Sequence, residues 1–185
     1  MDARWTISGI TRAMGPLLAV LVLVEIGSGL VLGRYERQLL EMPALLVLVP
    51  VTIGTAGNLG SILASRLSTA LALGTVGPDR GGVWLAGSSI ATVALATTLF
   101  PIVGLGAWGL ATLTADPVLT PIRVLVIAST SGLVLAGVAI AVTTVTTWIA
   151  WHAGLDPDSV VIPVVTNVCD VLGVVVLFAV VELLL

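Results

Sequence analysis

Between Met14 and Leu185 the chain contains five long stretches in which charge is almost absent. They run from about Met14 to Gly33, Pro43 to Gly74, Val83 to Leu110, Pro121 to Ala150 and Pro157 to Leu185. A helix needs about 20 mostly apolar residues to cross a bilayer, and each stretch reaches that length. Composition agrees: 9% of residues are charged and the mean hydropathy is +1.20, whereas soluble domains carry about 25% charged residues. The expected fold class is all-α, a polytopic membrane protein with five transmembrane helices. A membrane β-barrel would show short segments of alternating hydropathy, and none is visible.

The connections are polar or rich in Gly and Pro: "GRYERQLLEMP", "GTVGPDRGG", "TADPVLTP" and "WHAGLDPDS". Asp156 before Pro157 reads as an N-cap followed by a proline at the first helical position. No internal repeat, soluble domain or cleavable signal peptide is read, so the chain is expected to be one transmembrane domain, residues 1–185. The single cysteine, Cys169, excludes an internal disulfide, and the single histidine, His152, lacks the neighbours a zinc site needs. Nucleic-acid binding has no basic patch to support it: the seven basic residues, all arginine, are scattered, and the net charge is −3. With five spans, Arg4, Arg12 and Arg80 fall on one side and Arg34, Arg37 and Arg123 on the other, a balance that fixes no orientation; the reading taken is an N-terminus inside. Trp5, Trp84, Trp108, Trp148 and Trp151 sit near span ends, as interfacial anchors do.

Two segments break the apolar pattern. The second span, Pro43 to Gly74, would be roughly 48 Å long as a straight helix, against a hydrocarbon core of about 30 Å. It carries Pro50, Gly54, Gly57 and Gly60 within "PVTIGTAGNLG". The expectation is a long, broken helix whose freed backbone carbonyls, with Asn58, face a polar path. The fifth span places Pro163, Thr166, Asn167, Asp170 and Gly173 at offsets that share one helical face. That stripe offers oxygen donors, which suit Mg²⁺, Ca²⁺ or Mn²⁺ rather than soft metals. Mg²⁺ keeps several waters and takes one or two protein carboxylates.

An acid inside a span costs about 2.5–3.5 kcal/mol on insertion scales and usually marks an ion or proton path. Asp170 is one such acid, and Glu25 in the first span is the other. The bland alternative makes Asp170 a structural acid, protonated or paired with Arg66 in the second span, and Glu25 a buried pair for Arg66. Glu25 stays open as a second ligand, a proton site or a structural partner. Gly29 and Gly33 form a G-x-x-x-G pair suited to close helix packing. Thr143, Thr144, Thr146 and Thr147 are expected to bond back to their own helix.

Read together, these segments resemble a known family. "GTAGNLGSILASRLSTALALG" is similar to the second helix of MgtE-type magnesium transporters, and closer still to the related eukaryotic solute-carrier magnesium transporters. "LDPDSVVIPVVTNVCDVLGVVVLF" resembles the family's final helix, and "YERQLLEMPALLVLVP" its lead-in to the second helix. The resemblance implies a five-helix unit working as a homodimer in the cell membrane, without a cofactor and not as an enzyme. Its ion path would lie between protomers, lined by the second and fifth spans. Asp170 would be the central ligand of the transported divalent cation, Mg²⁺ first. Asn58, Thr166 and Asn167 would be further metal-binding residues, and Gly54, Gly57, Gly60, Pro163 and Glu25 would line the path.

Three departures stand out. No cytosolic sensor or CBS domain is read, Ile62 replaces the bacterial glutamine, and Thr166-Asn167 replaces a Thr-Thr pair. A Na⁺- or H⁺-coupled exchanger remains an alternative to a channel. An intramembrane aspartyl enzyme using Glu25 and Asp170, or a non-transporting assembly subunit, would be readings of another class.

Overall fold

The computed structural model describes residues 6–76, 81–114 and 118–185. Arg4, Trp5 and Arg80 lie outside them. Six helices follow in order: α1 (Ile7–Gly33), α2 (Glu36–Glu41), α3 (Pro43–Ala72), α4 (Gly81–Thr114), α5 (Pro121–His152) and α6 (Pro157–Leu184). Five are long and apolar enough to cross a membrane: Met14–Gly33, Pro43–Ala72, Gly82–Thr114, Pro121–His152 and Pro157–Leu184. The chain is a membrane protein with the expected five spans. The short α2 in the first connection was not anticipated. It buries Leu39, leaves Leu40 exposed and carries an exposed Arg37–Glu41 pair at 2.8 Å. The Glu41 carboxylate holds the Arg37 guanidinium above its ordinary pKa.

Local chemistry sets the helix ends. Asp156 caps α6: its carboxylate accepts from the Asp158 amide at 3.3 Å and the Ser159 hydroxyl at 2.7 Å, and Pro157 follows. Thr120 caps α5 ahead of Pro121 in the same way. α3 and α5 end alike. Gly74 and Gly154 adopt left-handed backbone, with φ of 65° and 69°. The next amides, Thr75 and Leu155, reach back to the Ala70 and Ala150 carbonyls. These are Schellman turns, which glycine permits without strain.

The expected break in the second span is absent. α3 is continuous over 30 residues despite Pro50. Proline removes one ladder hydrogen bond, and neighbouring helices support the rod across that gap. Nor is α3 unusually long, since α4 has 34 residues and α5 has 32. Helices longer than the hydrocarbon core tilt or project into the headgroups, so length alone did not require an interruption. No run of freed carbonyls opens between Gly54 and Gly60: the Gly60 carbonyl accepts the Thr143 hydroxyl at 3.3 Å.

Helices α3 to α6 form the core. α3 packs on α4, α5 and α6, and α5 lies between α4 and α6. α1 packs on α6 alone among the long helices to any extent and is otherwise exposed. Two buried clusters fill the bundle. One centres on Leu45, Leu48, Ile127, Leu177 and Phe178, the other on Ala56, Phe100, Leu135, Val161 and Val165. Small residues set the helix separation. A Cβ on Gly60 would collide with Val165, one on Gly173 with Ile53, and one on Gly132 with the Phe100 ring. Without a hydrophobic drive between helices in lipid, this close approach is a main source of association. Gly29 and Gly33 do not serve that role inside the protomer, because nothing lies near either. At the end of α1, Tyr35 stacks on Phe178 with ring centroids 3.8 Å apart.

Candidate cation site on helix α6

The polar stripe on α6 exists, but it does not face one neighbour. Successive helical residues point about 100° apart, and that turn separates Thr166 from Asn167. Thr166 turns to α3. Its hydroxyl lies 3.2 Å from the Ser61 hydroxyl and bonds the Ile162 carbonyl at 3.0 Å. Gly57 brings α3 near the Thr166 backbone, and Gly173 does the same against Ile53. Thr166 therefore belongs to a packed seam. Sequence reasoning missed Ser61 as its partner. The available signal was its place four residues after Gly57, but Ser65 and Ser68 share the stretch, so nothing singled it out.

Asn167 turns the other way. Its amide nitrogen donates to the Glu25 carboxylate on α1 at 2.6 Å. Asn167 is 5% exposed, and its buried amide oxygen has no hydrogen-bond partner among the described residues. An orphaned buried acceptor costs about 1–3 kcal/mol, so this oxygen is a standing liability unless something occupies it. Glu25 is exposed on the protomer surface.

Asp170 lies one turn beyond Asn167 and is half-buried. Among the described residues it makes no hydrogen bond and no ion pair, and it stands within electrostatic reach of Glu25. Arg66 pairs with neither acid: the Arg37–Glu41 bridge is the sole ion pair among the described residues. The bland reading of these acids as partners of Arg66 therefore fails.

The remaining expected residues divide. Pro163 sits half-buried inside α6. Gly57 and Gly60 are buried packing positions, whereas Gly54 faces open space. Asn58 is exposed on α3, and no hydrogen bond joins it to α6 among the described residues. It continues an outward line with Gly54 and Ser65, both exposed, while Arg66, also exposed, points about 100° away from Ser65. The threonines of α5 behave unequally. Thr144 bonds back to the Ile140 carbonyl at 2.7 Å as expected. Thr143 instead reaches across to Gly60, and the buried Thr147 hydroxyl has no partner.

Chemically, the site offers one unpaired carboxylate, a second nearby and a neutral amide oxygen, all hard donors suited to Mg²⁺-like cations. Comparison with known proteins points the same way. Residues 49–180 match the MgtE family, described as divalent cation transporter. The chain is also 28% identical over 171 residues to mouse (Mus musculus) solute carrier family 41 member 3, covering 85% of this chain and 35% of that protein. It thus spans about a third of that relative's length.

Proposed function

Because this chain belongs to the MgtE family of divalent cation transporters, we propose that it moves Mg²⁺ across the cell membrane as a homodimer. The path would run along the two-fold seam, between the outward faces of α3 and α6. The observation that carries this reading is the outward line Gly54, Asn58 and Ser65 on α3, together with a half-buried Asp170 on α6 that has no ion pair among the described residues. In a lone protomer those groups would meet acyl chains, where unsatisfied polar groups cost several kcal/mol each. A second copy would cover them, and a two-fold axis would present each ligand twice.

In this scheme Asp170 holds the hydrated cation and Asn58 adds an amide from α3. Thr166 is a positioning residue, because its hydroxyl is engaged by Ser61 and Ile162. Asn167 contributes through its free amide oxygen. Water fills the positions that an octahedral Mg²⁺ leaves open. The family is one of transporters, which removes the support for the enzyme reading.

Flux into liposomes tests the assignment. Asp170→Asn should reduce Mg²⁺ uptake to the protein-free background while the protein still elutes as a dimer, and undiminished uptake would refute the site. Parallel Ca²⁺, Mn²⁺ and Na⁺ gradients would rank the ions and expose coupling. Disulfide trapping tests the seam: Asn58→Cys in a Cys169→Ser background should cross-link between copies. An active protein that never cross-links there places the interface elsewhere.

A further inference from the structure

Resting on that transport reading, we propose that Glu25 is a second carboxylate of the cation site, supplied by α1 of the same protomer. Three observations converge. Glu25 is held at α6 by Asn167, one turn from Asp170. Neither acid has an ion-pair partner among the described residues. The Asn167 side chain that reaches Glu25 is 5% exposed, and its amide oxygen has no partner among the described residues. Two carboxylates and one neutral oxygen form a donor set for a hard cation, with waters completing the shell.

Calorimetric titration of the purified full chain in detergent with Mg²⁺ alone reads the affinity. Glu25→Gln keeps an oxygen for Asn167 to donate to; it should bind roughly tenfold more weakly than the wild type. If Glu25→Gln fails to assemble, Glu25→Asp keeps the charge at shorter reach and should also weaken binding. Wild-type affinity in the Glu25 variant overturns the proposal. If Asp170→Asn then binds no Mg²⁺, the transport site stands without Glu25; if that variant too binds normally, the site assignment itself falls.

Discussion

Helix α6 has two seams built on opposite principles. Against α3, contact is steric: Gly60 and Gly173 let side chains of the facing helix into the space where a Cβ would stand, and one hydroxyl pair decorates the join. Against α1, the glycines Gly29 and Gly33 meet nothing, and one hydrogen bond from Asn167 to Glu25 is the polar tie. A seam held by shape tolerates loss of a polar group but not added volume. A seam held by a hydrogen bond does the reverse. The steric seam is filled by packed side chains. The polar one leaves Glu25 exposed and Asp170 half-buried.

Substitutions can break this contrast. Gly173→Val should cost about 1–3 kcal/mol by overpacking against Ile53, read as a lower unfolding temperature in detergent, whereas Gly29→Val should leave that temperature unchanged. Equal effects would erase the distinction. Asn167→Leu should cost about 1–2 kcal/mol, the upper range for interhelical polar contacts. Its signature is local: hydrogen exchange should rise along α1 while α3 stays protected. Thr166→Val is the smaller polar test, at about 0.6 kcal/mol, because the glycine contacts around it survive. Arg37→Ala removes a fully exposed pair on α2, and no change in unfolding temperature is expected; a measurable loss would mean that α2 does more than cover the end of α3.

Much of this was legible beforehand. Run length and hydropathy located all five spans, and Asp156-Pro157 announced the start of α6. Asp170 was legible because a lone acid in such a run conflicts with its surroundings. The broken second helix misled because proline and glycine carry two meanings in a membrane: they permit a break, and they permit close approach. Gly60 serves the second. Glu25 was visible as an oddity, but its partner was not, since Asn167 lies far away in sequence.

The sequence by itself determined the number of spans, their caps and the presence of a polar stripe on the last one, because hydropathy and helical spacing are properties of a single segment. The tertiary structure decided how that stripe is shared. Adjacent residues on a helix diverge by about 100°, so Thr166 and Asn167 belong to different seams, and which helix fills each side depends on how all five pack. That packing, and not spacing, put Glu25 rather than Arg66 beside Asn167.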